Sequence, residues 1–242
     1  MFTKIYLDYE NNLFDELHAT IEFEDITKGR KGAVLIDKVN DIVPIVRTTT
    51  KYSKPAQQFK KIHHDIIDKI KQNYNGANFN NALAEIYDSE YTNMGFHSDQ
   101  ALDLAPNSHI AIYSCYSNDK VTNPRKLIIK DKTTNNITEI TMEGNSVILF
   151  DLDTNGKHLH KIILEANNKT NDEWLGITSR MSKTFIDQTN GNINGTDDKL
   201  TLADNVECKH FYKLRGEENK SVNFTYDKIA YTISPSDLMY VK

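Results

Sequence analysis

The chain has 242 residues, 38% of them hydrophobic, and a formal net charge of −5 at neutral pH. That length suits one large domain or a domain with an extension. The apolar content excludes wholesale disorder, and the acidic balance excludes a protein that binds nucleic acid over its whole surface. Two cysteines, Cys115 and Cys208, cannot build a disulfide framework and read as reduced thiols of an intracellular protein, cytoplasmic or nuclear. The N-terminal MFTKIYLDYENN carries acids and lacks an apolar run, so no signal peptide is expected. Nothing approaches the roughly 20 apolar residues that span a bilayer, so no membrane partner is expected. Asn168-Lys169-Thr170 matches the glycosylation pattern, which has little meaning without a secretory route.

Charge is uneven along the chain. Between residues 27 and 61, nine basic residues (Lys28, Arg30, Lys31, Lys38, Arg47, Lys51, Lys54, Lys60, Lys61) face two acidic ones, Asp37 and Asp41, a local charge of +7. A basic surface there could contact the phosphates of a nucleic acid, although a solvated, lysine-decorated face is the commoner reading. Residues 56–75, AQQFKKIHHDIIDKIKQNYN, place Phe59, Ile62, Ile66, Ile70 and Tyr74 at helical spacing. The period then changes to two. Residues 81–88, 108–116, 125–131, 136–143, 145–151, 158–164 and 173–187 read as strands, separated by PNS, NDKVTNP, KTTNN, EGN and DTNG turns. The Asn/Gly-rich residues 188–199 read as a loop. Residues 200–242 regain apolar content and read as an extension packed on the main domain. A helix followed by short strands predicts an α+β, mainly β protein: an antiparallel sandwich or barrel with a helix on one sheet.

Two His-x-Asp pairs stand in the sequence. His63-His64-Asp65 lies in the helix, where positions two apart do not face each other. That pair cannot chelate one ion, and His63 reads as a packed or rim histidine. His97-Ser98-Asp99 follows a strand, and in extended chain residues two apart share a side. A third ligand must come from elsewhere. His160, followed by the alternating Ile162 and Leu164, is expected to point inward, with the turn-proximal His158 as runner-up. Two histidines and one carboxylate suit non-haem Fe(II) and leave coordination positions open.

Read at period two, EWLGITSRMSKTFID puts Arg180, Ser182 and Thr184 on one face. A guanidinium fork flanked by hydroxyls is a site for a carboxylate; the bland alternative is a solvated polar stripe.

Together, His97-Ser98-Asp99, His160-Lys161-Ile162 and Arg180-Met181-Ser182-Lys183-Thr184-Phe185 resemble the core of the Fe(II)/2-oxoglutarate dioxygenases, and the AlkB-like branch in particular. The resemblance spans roughly residues 44–186 and implies a double-stranded β-helix, or jelly roll, with a packed N-terminal helix. It implies His97, Asp99 and His160 as iron ligands, and Arg180, with Ser182 and Thr184, as the grip on the distal carboxylate of 2-oxoglutarate. Tyr87 would help hold that cosubstrate. Residues 1–55 would be a substrate-facing segment before a core at 56–187, with Arg47 and Thr49 of PIVRTTTKY as substrate contacts. Three departures stand out: Ile186 where repair members carry a second arginine, Glu85 where an asparagine is common, and one extra residue between Tyr87 and His97. The implied chemistry uses Fe(II), 2-oxoglutarate and O₂ to hydroxylate or oxidatively demethylate a substrate. An alkylated nucleic acid is one substrate; a protein side chain or small molecule is the rival. A non-catalytic jelly-roll module and a zinc hydrolase on the same ligands are the competing classes, and the hydrolase has no use for Arg180.

Overall fold

The computed structural model describes residues 1–165 and 172–242, so the Asn168-Lys169-Thr170 sequon lies outside the described residues. The chain opens with β1 (Thr3–Tyr6), α1 (Phe14–Thr20), β2 (Glu24–Thr27), β3 (Arg30–Ile36) and β4 (Ile42–Ile45). It continues through β5 (Gln57–Gln58), α2 (Lys61–Asn73), β6 (Asn81–Tyr87), β7 (His109–Tyr116), β8 (Lys126–Asp131), β9 (Ile137–Thr141) and β10 (Ser146–Asp151). Then come α3 (Leu152–Lys157), β11 (His158–Ile163), β12 (Trp174–Arg180), β13 (Thr184–Asp187) and β14 (Asn192–Ile193). The C-terminal part holds β15 (Thr201–Leu202), α4 (Asn205–Lys220) and β16 (Tyr231–Thr232).

The large sheet runs β1-β10-β7-β12-β6-β3-β2, with β5 also on β3. A smaller sheet runs β11-β8-β9, and a third β14-β13-β4. Alternation sorts the large sheet into two faces. One face, including Ala82, Ala84, Ile86, Leu175 and Ile177, packs against Leu17 of α1 and Ile62, Ile66 and Ile70 of α2. Ile66 and Ile70 are almost fully buried, and each stabilises the fold by about 1.5–3 kcal/mol. The other face, with Tyr87, Ile110, Ile148, Phe150 and Trp174, meets Leu127, Ile129 and Ile162 of the smaller sheet. The site lies between these sheets.

The expected strands are present, with turns between them except at DTNG. Asn107, Asn135 and Asn145 take positive φ (59°, 60° and 53°) in the PNS, KTTNN and EGN segments, a conformation asparagine tolerates better than most residues. The helix is shorter than its pattern. Gln57 and Gln58 are drawn onto β3 instead, and α2 begins where the backbone N–H of Lys60 donates to His63 Nδ1 at 2.8 Å. His63 is thus a buried capping group, and burial pushes its imidazole down to about 4.

Four readings of the sequence need correction. Residues 173–187 are two strands in different sheets, β12 and β13, because the Ser182 hydroxyl substitutes for ladder bonds at the crossing. It accepts from the N–H of Thr184 at 3.0 Å and lies 2.5 Å from the carbonyl of Ile45, a side-chain competition typical of serine. The DTNG segment, read as a turn, is the short helix α3, and residues 1–55, read as a substrate-facing segment, supply β1, β2, β3, β4 and α1 to the sheets and core. The 188–199 loop contains β14, paired with β13.

The extension at 200–242 packs through Phe211, Ile229, Tyr231 and Ile233 on Leu102. Arg47 fastens it. Its Nη1 donates to the carbonyls of Ile229 and Tyr231 at 2.8 and 2.9 Å, while Nη2 meets Asp103 at 2.7 Å.

Trp174, the one tryptophan of the chain, lies over Gly176, where a Cβ would come within 2.0 Å of its Cη2. Gly176→Ala is therefore expected to cost about 1–3 kcal/mol by overpacking and to shift the tryptophan emission. An unchanged urea midpoint and spectrum would show that the ring does not need this gap.

Candidate metal centre

One strand and one loop build the cluster. His160 sits on β11, opposite Ile129 of β8, with its side chain turned between the sheets. His97 pairs with it as an isolated bridge: the His97 N–H donates to the His160 carbonyl at 3.0 Å, and the His160 N–H to the His97 carbonyl at 2.7 Å. Asp99 follows two residues later on the same side. His97 Nε2 lies 3.9 Å and His160 Nε2 3.6 Å from Asp99 Oδ1, and the three donor atoms fall within 4.8 Å of one another.

The electrostatics keep His97 and Asp99 in coordinating form. Burial, then His160, pushes the His97 imidazole down to about 3, so it is neutral at physiological pH. Its Nδ1 faces the Gly95 carbonyl at 2.9 Å, which places the proton there and leaves the Nε2 lone pair free. Burial opposes ionisation of Asp99, yet Arg180 and His160 hold its carboxyl well below the usual range. Arg180 grips Asp99 Oδ2 with Nε at 2.8 Å and Nη2 at 2.7 Å, which leaves Oδ1 toward the histidines. His160 Nδ1 is buried without a hydrogen-bond partner among the described residues. Two imidazoles and one fixed carboxylate fit a divalent ion, which binds each donor at about 2 Å.

A cavity of about 90 Å³ adjoins the cluster, walled by Arg30, Thr49, Glu85, Met94 and Arg215 besides His97, Asp99 and Arg180. Arg30 donates through Nε to Glu85 at 2.8 Å, and Glu85 accepts the Tyr87 hydroxyl at 2.6 Å on its other oxygen. Burial works against the charge on Arg30, and Glu85 more than restores it. The unusual residue at 85 thus has its counter-ion on the neighbouring strand. Tyr87 stands behind Glu85, against Trp174 and Arg125.

The structure brings together His97, Asp99, His160 and Arg180, with Thr49 on the wall and Tyr87 one residue behind it. It does not bring Ser182 and Thr184 to this cavity: Ser182 is bonded to backbone at the strand crossing, and Thr184 lines a different hollow. Arg47 is 3% exposed and internally paired, and it lines the same separate hollow as Thr184, not this cavity. His158 is held by the Thr154 carbonyl, outside the cluster. Ile186 is buried with Val43 and Ile45 in a separate cluster. Five of the nine basic residues at 27–61 are paired with carboxylates. Arg30 and Arg47 turn inward to Glu85 and Asp103, and Lys28, Lys38 and Lys61 pair with Glu90, Asp41 and Asp65.

Two supports lie outside the motifs. Asn155 of α3 accepts from the Asp99 N–H at 2.7 Å and donates to the Asp99 carbonyl at 2.7 Å. From α4, Asn219 accepts from the Ser98 N–H at 3.0 Å, Arg215 Nη2 donates to the Ser98 carbonyl, and Glu218 accepts from the Ala101 N–H at 2.8 Å. Asn155 was hidden in a turn-like DTNG. The signal for α4 was its capping box: Asp204 accepts from the N–H groups of Val206 and Glu207, and Glu207 from that of Asp204.

No protein-family model matches the sequence, and no curated protein matches it. Solved structures do share its fold. OsALKBH1 aligns with a TM-score of 0.52 at 11% identity, covering 74% of this chain and 97% of that one. A Pseudomonas putida prolyl-4-hydroxylase aligns with a TM-score of 0.46 at 11% identity, covering 74% of this chain and 92% of that one. At such identity the likeness is one of fold. The chain is a double-stranded β-helix of the kind implied by its resemblance to the AlkB-like dioxygenases.

Asn155→Ala leaves the buried N–H and carbonyl of Asp99 unpaired, at about 1–3 kcal/mol for each. The urea midpoint is expected to fall accordingly. A midpoint equal to the parent's would mean that the amide does not hold this loop.

Proposed function

We propose that the chain is an Fe(II)- and 2-oxoglutarate-dependent dioxygenase, an oxidoreductase that hydroxylates or oxidatively demethylates its substrate. The supporting observation is the convergence of His97, Asp99 and His160 on one point inside a double-stranded β-helix. Such a donor set leaves positions open for a cosubstrate and O₂. Bound iron would supply O₂ activation coupled to the conversion of 2-oxoglutarate to succinate and CO₂.

The chain's own residues supply the rest. His97 and His160 offer ring nitrogens, and Arg180 keeps Asp99 ionised and its Oδ2 occupied. The cavity wall carries Arg30, Arg180 and Arg215 against Glu85 and Asp99. A divalent ion adds to that positive excess, and a dianionic keto acid offsets it. Arg180 and Arg30 both retain N–H groups beyond those used on their carboxylate partners, and these are the donors for the cosubstrate. Ile110, Ile148, Phe150 and Trp174 form the buried apolar ground of this face and keep water from the reacting groups.

A protein side chain or small molecule suits this surface better than a nucleic acid, because both arginines of the basic run turn inward to carboxylates and the net charge is −5. Phosphate contacts would make substrate binding weaken steeply with salt.

Protein purified without oxygen and then given Fe(II), 2-oxoglutarate and air is expected to form succinate slowly, even without substrate. His97→Ala and Asp99→Ala should form none while still unfolding cooperatively. Succinate from both variants would sink the ligand assignment. Absence of succinate from the parent, with no 2-oxoglutarate binding in the presence of Fe(II), would make the chain a non-catalytic jelly-roll module.

A further inference from the structure

The helix α4 docks on the domain in an unusual way. Its buried positions are Phe211, Arg215 and Glu218, one apolar anchor and two charges. Burying charge is costly unless it is paired and hydrogen-bonded. A helix needed only for packing would do better with apolar side chains. Here the charges are paired with each other, Arg215 Nη1 to Glu218 at 2.6 Å, and Tyr226 donates to the same carboxylate at 2.6 Å. What remains of their hydrogen-bonding capacity, together with Asn219, goes to one short stretch of main chain.

That stretch is the one between the ligands. Ser98 is the residue that separates His97 from Asp99, and both of its backbone groups are held by α4: the N–H by Asn219 and the carbonyl by Arg215. Its hydroxyl donates to the His158 carbonyl at 2.8 Å, tying the same residue to the strand of the third ligand. Arg215 also forms part of the cavity wall. A shift of Ser98 moves both neighbouring ligands at once, and nothing but α4 holds its two backbone groups among the described residues.

Resting on the dioxygenase reading, we infer that Asn219 and Arg215 of the C-terminal helix are positioning residues for the metal centre: they fix the Ser98 backbone and so set the separation of the His97 and Asp99 donors. The helix contributes to metal affinity and not only to the stability of the fold. Residues that orient metal ligands typically change affinity by 10–100-fold when removed.

Asn219 is the position to test, because it lies in the last turn of a helix, where alanine is well tolerated. Full-length protein is titrated with Mn(II) alone, by calorimetry, and the metal-free protein is melted in parallel. Asn219→Ala is expected to bind Mn(II) at least about tenfold more weakly, with the metal-free melting temperature kept. Asn219→Asp retains the oxygen that accepts from Ser98 and is expected to restore the affinity. Parent-like affinity in Asn219→Ala overturns the inference. So does a loss of affinity that Asn219→Asp fails to restore, or one that only follows a fall in melting temperature. Parent protein that binds no Mn(II) overturns the dioxygenase reading, and the positioning role with it.

Discussion

The site depends on how the main chain is held at residues 97–99. Each of these three residues has its N–H and its carbonyl bonded, and each is held by a different element. His97 is held by β11, Ser98 by α4 and Asp99 by Asn155 of α3. Loops are ordinarily the mobile part of a domain. This one carries two donors that must stay within a few tenths of an ångström of a working geometry, and six hydrogen bonds hold it. The order of the chain follows from this need. The strand that supplies His160 comes directly after the short helix that supplies Asn155, so one connection delivers a candidate ligand and a brace.

A second consequence is electrostatic. Every guanidinium at the cavity is matched by a carboxylate, Arg180 by Asp99, Arg30 by Glu85 and Arg215 by Glu218. Unmatched, any one of them would be costly to bury. Matched, they form a wall of paired charges; Glu218 stands behind the lining, so the lining itself keeps a small positive excess.

The parts of the fold legible in the sequence were those whose signal is local. Alternation in 109–116 and 146–151 and the apolar stripe of α2 report burial directly, and the structure places strands and a helix there. The separation of His97 from Asp99 is a local fact too. The parts that were not legible depend on distant partners. RKGAVLI of β3 read as the start of a basic surface because its arginine has no visible counter-ion until Glu85, more than fifty residues away, is brought alongside. The face shared by Arg180, Ser182 and Thr184 was a fair inference from period two, but it fails where Ser182 turns the chain from one sheet to another. Helix α4 docks by polar side chains, so the apolar periodicity that reveals α2 is weak in it.

Glu85 shows what a departure from a family pattern can mean physically. A carboxylate on the inner face of a central strand, 8% exposed, cannot be an isolated change. It requires a cation within reach and groups to satisfy both oxygens. Arg30 and Tyr87 meet those two needs, and Thr50 accepts a further bond from the same guanidinium at 3.2 Å. The N-terminal strand β3 is therefore coupled to the site by charge as well as by backbone pairing. Removing Glu85 alone would leave Arg30 facing the cavity uncompensated, and removing Arg30 alone would strand a buried carboxylate beside Tyr87. The two residues form one unit, and the identity of either position has meaning only with the other.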